Sequence, residues 1–353
     1  MSRTLAQIGE FGLIDQINEI IEKEGVPLPK NTLGIGDDCA AFQPRPGYDL
    51  LVTCDCMLEN RHYLPQFISP HDMGRRAMVL NISDVGAMGG RPRYALISLG
   101  LRSSMLLKDV IAIYRGFLSE LNPFQAFIIG GNVTKSTNAN FIDITLIGEV
   151  EAGKMVRRST AKPGDVILVT GYPGQSAAGL AILLQTEAGK PWDGNNPLVT
   201  AYQCPTHRAV EGCAVAKTGL ANAMIDISDG LLGDLGHICD ESGVGAVLYE
   251  KALPVSQALR QFSEAADFAK VATTAGSSRE PLDYVLKESD DYELMMTCNP
   301  EHVAGIRDTV AGVSHIPVTS IGSITAKKGG IEIMESAGNS RPATVSGWDH
   351  FSK

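Results

Sequence analysis

No apolar run in this sequence approaches the ~20 residues that a membrane-crossing helix requires. The N-terminus, Met1-Ser-Arg-Thr-Leu5, lacks the apolar stretch of a secretory signal. No basic cluster of the kind that tracks a nucleic-acid backbone is present, and the net charge is −10 with a pI near 5.2. Cysteine is sparse and odd in number: seven residues, none in a Cys-x-x-Cys pair. That usage argues against a disulfide framework and reads as reduced thiols in a cytoplasmic protein. The close pair Cys54-x-Cys56 lies on an apparent strand and reads as packing rather than as zinc ligands. Neither the Walker A nor the dinucleotide fingerprint occurs. An acidic chain that handles phosphates without these devices needs metal ions to mediate.

What remains is a globular composition. Hydrophobic residues make up 44% and charged residues 20% of 353, enough for a proper core in two domains of ordinary size. Ile8, Phe11, Ile14, Ile17, Ile20 and Ile21 have helical spacing over Leu5 to Glu24. Strand-like Tyr48 to Leu58 precedes a helix that starts near Ser69-Pro-His-Asp72 and runs to Met88. Tyr94 to Leu101 is a strand, Leu106 to Leu121 an amphipathic helix, and Ala126 to Ile129 a short strand that breaks at Gly130-Gly131. Phe141 to Val150 alternates apolar and polar residues. The first half thus reads as an α+β sheet with helices on one side. The polar segment Glu151 to Asp165 ends in Pro163-Gly164, which places the boundary between domains at 1–150 and 151–353. Further on, strand-like Asp165 to Tyr172 enters a Gly-rich turn, Gly171 to Gly179, whose free N–H groups can receive an anion. Thr186 to Thr200 reads as a loop.

Chemistry concentrates at acidic loop edges. Gly34-Ile-Gly-Asp-Asp38 sets two carboxylates side by side, where glycine permits positive φ and close approach of a ligand. At ~4 Å and an effective dielectric of ~20 such a pair repels by about 4 kcal/mol, which a bound divalent cation relieves. Asp55, Asp84, Asp226 and Asp229 share the setting: each lies where an apolar run meets a turn or a helix start. Aspartate is also an ordinary turn and cap residue. Six at such junctions, all hard oxygen donors, point to Mg²⁺ and a polyphosphate, hence to nucleotide-dependent phosphoryl transfer.

The ordered motifs carry a resemblance. They are Gly34-Ile-Gly-Asp-Asp-Cys-Ala40, Asp55 to His62, Asn81-Ile-Ser-Asp-Val-Gly-Ala-Met-Gly89, Gly130-Gly131 and Arg158-Ser-x-Ala-Lys-Pro-Gly-Asp165. After these come Gly171-x-x-Gly-x-Ser-Ala-Ala-Gly-Leu180, Asp226-Ile-Ser-Asp-Gly-Leu231 with Asp234-Leu-Gly-His237, Asp291-Tyr-Glu-Leu294 and Gly347-Trp-Asp-His-Phe351. The set spans nearly the whole chain and resembles the bacterial thiamine-monophosphate kinase family, within the aminoimidazole ribonucleotide synthetase-like superfamily. The resemblance implies a two-domain α+β fold whose N-terminal sheet closes a barrel across a homodimer interface, with the nucleotide between the domains. It implies several Mg²⁺ ions and ATP as co-substrate. The implied metal positions are Asp37, Asp38, Thr53, Asp55, Asp84, Asn132, Asp226 and Asp229. Gly131, Arg158 and Ser228 would touch the nucleotide; His62, Asp290 and Trp348 would touch thiamine monophosphate. No side-chain nucleophile is implied, because the acceptor phosphate is already ionised.

The chain departs from the family pattern at the metal and acceptor positions. Asn132 stands where the family has aspartate, which removes a charge from one metal position. Glu288-Ser289-Asp290 replaces Gly-Gly-Glu, giving a carboxylate one methylene shorter and a loop without two permissive glycines. These changes leave open a paralogous kinase for another small acceptor, or a nucleotide-binding protein with weakened turnover.

Overall fold

The computed structural model describes residues 3–185, 195–264, 280–286, 288–327 and 330–344. The chain divides into two compact units, Met1–Val85 with Gly90–Gly153, and Gly86–Gly89 with Lys154–Lys353.

The first unit contains α1 (Leu5–Glu24), β1 (Tyr48–Leu58), all but the last two residues of α2 (Pro70–Ala87), β2 (Arg91–Leu101), α3 (Leu107–Leu121), β3 (Phe127–Lys135) and β4 (Phe141–Glu151). The strands form one sheet in the order β1-β4-β2-β3, antiparallel except for β2 with β3. The alternation read in Phe141 to Val150 is the pleat of β4. Ile142, Ile144 and Leu146 are at most 1% exposed, each worth about 1.5–3 kcal/mol of burial, while Asp143 and Thr145 take the other face. The buried face closes against α2, whose Asp84 accepts a hydrogen bond from Thr53 Oγ1 on β1. Helices α2 and α3 cross at glycines: a Cβ on Gly116 would lie 2.1 Å from the His71 carbonyl oxygen.

The opposite face is covered only in part. Phe42 stacks on Tyr94 with ring centroids 4.3 Å apart, and Val26 and Ala40 pack beside them. On β1 the outward residues Leu50, Val52, Cys54, Cys56 and Leu58 are exposed. The Cys54-x-Cys56 pair is therefore not buried packing in the single chain. Its thiols lie on the outer face, with Cys54 Sγ 3.4 Å from Asp143 Oδ1. The expected break at Gly130-Gly131 is an irregularity rather than an end: the register with β2 skips Ile129, and β3 then continues through both glycines to Lys135.

The second unit contains β5 (Val166–Thr170), α4 (Gln175–Leu183), α5 (Pro197–Gln203), α6 (Ala209–Thr218), β6 (Ala221–Ile227), α7 (Leu231–Ser242) and β7 (Gly245–Tyr249). It continues with α8 (Gln257–Glu264), α9 (Pro281–Leu286), β8 (Glu293–Cys298), α10 (Val303–Ala311), β9 (Val318–Thr325), β10 (Ile331–Met334) and β11 (Ser340–Pro342). The sheet order is β11-β10-β7-β9-β5-β8-β6. Both faces are covered. Ile167, Val169, Ile225 and Met295 pack with Leu231, Leu235 and Ile238 of α7 on one side. Leu168, Met224, Leu294 and Met296 pack with Val215 of α6 and Ile306 and Val310 of α10 on the other. β8 is buried on both faces along its whole length, and its two polar side chains, Glu293 and Thr297, are buried with it and hydrogen-bonded. Helix α5 lies partly in the segment expected to be a loop. Asn196 Oδ1 caps it by accepting the Leu198 N–H at 2.9 Å, and Pro197 takes the first turn.

Candidate active site

In the first unit the Gly34 to Asp38 loop is a short excursion held by paired backbone bonds between Leu33 and Ala41. Asp37 and Asp38 are both exposed, and the Asp38 N–H donates to Asp37 Oδ1 at 2.8 Å. Thr53 and Asp55 are two apart on β1 and so share the face turned toward α2. Asp84 bonds Thr53, which brings three of the expected metal positions to one neighbourhood. One turn before Asp84, Asn81 is fully buried; its amide donates to the Ala77 carbonyl at 3.1 Å, and its own carbonyl oxygen has no hydrogen-bond partner among the described residues. The expected donors here are all oxygens, a set suited to a hard cation such as Mg²⁺.

Gly131 is opposite Ile97 in the sheet, and Asn132 is opposite Ser98. By register Asn132 belongs to the row of Ser98, Asp143 and Cys56, one row away from Asp55 and Ile144. Gly131 breaks the pleat just before it, with φ +155°. Any Cβ at position 131 would lie 1.9 Å from the Ile97 carbonyl oxygen, so only glycine fits. At the end of β1, His62 folds back and its Nδ1 accepts the Leu58 N–H at 3.0 Å. A neutral imidazole that accepts at Nδ1 carries its proton on Nε2.

In the second unit, β6 delivers Asp226, 4% exposed, into the turn Ser228-Asp-Gly230 that starts α7. Asp234, in the first turn of α7, accepts the N–H groups of Ser228 and Asp229, both at 3.1 Å. Burial, then the charges of Asp226 and Asp229, push the Asp234 carboxyl up to about 8. Ligand atoms of Asp229, Asp234 and His237 lie within 4.8 Å of one another. Asp234 and His237 are not among the expected metal positions. Their signal was the i, i+3 spacing, which puts both on one side of a helix. Arg158 is exposed on a turn whose backbone is pinned to α7, with Ser242 Oγ donating to the Arg158 carbonyl at 2.9 Å. The Asp165 that closes the same motif is structural: its buried carboxylate accepts from the Lys162 N–H, Asn222 Nδ2 and Thr297 Oγ1.

The anion expected at the Gly-rich turn is supplied by the chain itself. Asp291 accepts the N–H groups of Gly174 at 2.5 Å and Ser176 at 3.0 Å, at the start of α4. Burial pushes the Asp291 carboxyl up to about 6 in spite of these bonds. Ser289 Oγ accepts the Ala177 N–H at 3.1 Å, and Asp290 accepts from Ser176 Oγ at 2.5 Å. Trp348 lies outside the described residues.

Comparison with known proteins bears on these motifs over the whole chain. Residues 36–150 match the AIR synthase related protein N-terminal domain family, and residues 162–335 match its C-terminal domain family. The thiamine-monophosphate kinase of Escherichia coli (strain K12) is 35% identical over 353 residues, spanning 97% of this chain and 98% of the relative. That of Bacillus subtilis (strain 168) is 30% identical over 350 residues, 97% of this chain and 99% of the relative. Among solved structures, AaThiL complexed with AMPPCP and TMP superposes with a TM-score of 0.72 at 30% identity, covering 99% of this chain and 100% of that one. A hydrogenase maturation protein HypE in complex with ATP, 20% identical with a TM-score of 0.74, shares the fold over 97% of this chain and 96% of its own. Identity of this level running from end to end, together with family matches in both halves, shows that the chain belongs to the thiamine-monophosphate kinase family.

Proposed function

We propose that this protein transfers the γ-phosphoryl group of ATP to thiamine monophosphate, forming thiamine diphosphate and ADP. The observation that carries the reading is the full-length likeness, at 30% identity, to a structure containing both AMPPCP and TMP. A phosphate oxygen of the acceptor attacks the γ-phosphorus, and the bond from that phosphorus to the bridging oxygen of ADP breaks. The acceptor oxygen is already ionised, so positioning and charge neutralisation do the work and no strong general base is required.

Asp37, Asp38, Thr53, Asp55, Asp84 and Asn132 in the first unit, and Asp226 and Asp229 in the second, are the proposed holders of Mg²⁺. Bound Mg²⁺ supplies charge neutralisation for the phosphates. The Thr53–Asp84 bond supports this assignment, since it fixes two of the proposed donors against each other in advance. Gly131 lets the nucleotide approach the backbone, and Arg158 and Ser228 bind its phosphate side. His62, Asp290 and Trp348 are assigned to the acceptor, and an aromatic residue such as Trp348 suits a cationic thiazolium.

The working form is a homodimer whose N-terminal sheets close a barrel. The exposed stripe Leu50, Val52, Cys54, Cys56 and Leu58, on a strand at the sheet's edge, supports a second copy as its cover. Seven cysteines, none of them in a disulfide, support a reducing, cytoplasmic setting. Purified protein with ATP, Mg²⁺ and thiamine monophosphate is expected to form thiamine diphosphate, and chelation of Mg²⁺ to stop it. Absence of product from a folded dimer would overturn the reading.

A further inference from the structure

Three successive side chains before β8 are fastened to the first turn of α4. Ser289 takes the Ala177 N–H, and Asp291 takes those of Gly174 and Ser176. The N–H groups of Gly174, Ser176 and Ala177 at the start of the helix are therefore taken up without any help from the Ser176 side chain. Its hydroxyl, 0% exposed, crosses instead to Asp290 at 2.5 Å, a short charge-assisted bond. The next residue, Tyr292, holds φ +55°, a backbone state that a bulky side chain rarely adopts. Its N–H donates to the Ile227 carbonyl at 2.8 Å. Strain of this kind persists where the surroundings over-determine it, and such places cluster at functional sites.

We infer that Ser176 is a positioning residue for the phosphoryl acceptor, acting through Asp290. The inference rests on the proposed assignment of Asp290 to thiamine monophosphate. That acceptor offers a carboxylate two attractive groups, the thiazolium charge and the N–H donors of its aminopyrimidine. Asp290 is one methylene shorter than the glutamate of the family pattern, so its reach depends more on where its backbone and first torsion are held. Ser176 supplies that hold from a helix whose own start is fixed by Asp291. The role is specific to the acceptor side, because Ser176 caps nothing and its hydroxyl has Asp290 as its bonding partner.

The test is a double-mutant cycle of Ser176→Ala and Asp290→Ala, read as KM for thiamine monophosphate and KM for ATP. Loss of a hydrogen bond to a charged group predicts that Ser176→Ala raises the acceptor KM by about tenfold, with the ATP KM changed less than about twofold. In the Asp290→Ala background the same substitution is expected to change the acceptor KM by less than about twofold, since the residue it acts through is gone. Ser176→Cys, which keeps the volume and a weak donor, should fall between the wild type and Ser176→Ala, and it serves if alanine impairs folding. Equal effects of Ser176→Ala in both backgrounds, or equal effects on both substrates, would overturn the inference and leave the kinase reading standing. A folded wild type that forms no thiamine diphosphate would overturn both.

Discussion

Replacing Arg208 with alanine should destabilise the second unit far more than a surface charge deletion. The Arg208 guanidinium forks onto Glu293, with Nε to Oε2 and Nη2 to Oε1 both at 2.6 Å. The two side chains are 12% and 6% exposed. Thr170 Oγ1 adds a third bond to the same carboxylate at 2.6 Å, and a Cβ on Gly171 would lie 1.9 Å from Glu293 Oε1. The site is thus built around a charge that solvent does not reach. Removing the guanidinium leaves that charge uncompensated, which costs about 3–5 kcal/mol. For a unit of this size each kcal/mol lowers Tm by about 2–4 °C, so the loss should be about 6–20 °C. Arg208→Met combined with Glu293→Leu removes both charges together and should cost much less than the two single substitutions added, because no unpaired ion remains. Thermal unfolding followed by circular dichroism measures the wild type and the four variants. A single substitution costing under about 1 kcal/mol, or a double variant whose loss equals the sum, would refute the reasoning.

Other outcomes follow from the same structure. Asp291 has a carboxyl pKa raised by burial from 3.8 to about 6, so its stabilising share is fully present below pH 3.8 and lost as pH rises through 6. Relative to Asp291→Asn, the wild type should therefore lose up to about 3 kcal/mol between pH 4 and 7, read from denaturant midpoints. Gly131→Ala should abolish activity and lower Tm, since its Cβ would meet the Ile97 carbonyl oxygen at 1.9 Å and its φ is +155°. Asp84→Ala should reduce kcat by orders of magnitude, and Asn132→Asp should lower the Mg²⁺ concentration for half-maximal rate, both read by titrating Mg²⁺ at fixed ATP. Val52→Glu should give a monomer in sedimentation analysis by placing a charge on the exposed stripe of β1.

Periodicity alone was enough for the elements that bury one side. The amphipathic spacing of Leu106 to Leu121 is the buried face of α3, made of Leu107, Val110, Ile113, Tyr114, Phe117, Leu118 and Leu121. The alternation in β4 shows its buried side directly. The ordered acidic motifs named the family as well, because hard-ligand chemistry needs particular residues at loop edges, and these are visible along the chain. The sequence could not show what depends on partners far away in it. A β3 that continues past its register shift and Gly130-Gly131 requires β2 beside it, with Gly131 pressed against Ile97. The anion at the start of α4 is Asp291, more than a hundred residues downstream, so a turn that looked ready for a phosphate is already filled. Glu293 and Asp165, both within recognised motifs, turn out to hold buried networks. Local pattern reports which face of an element is apolar; only the folded chain decides which charges and donors meet, because hydrogen bonds and ion pairs form between neighbours in space.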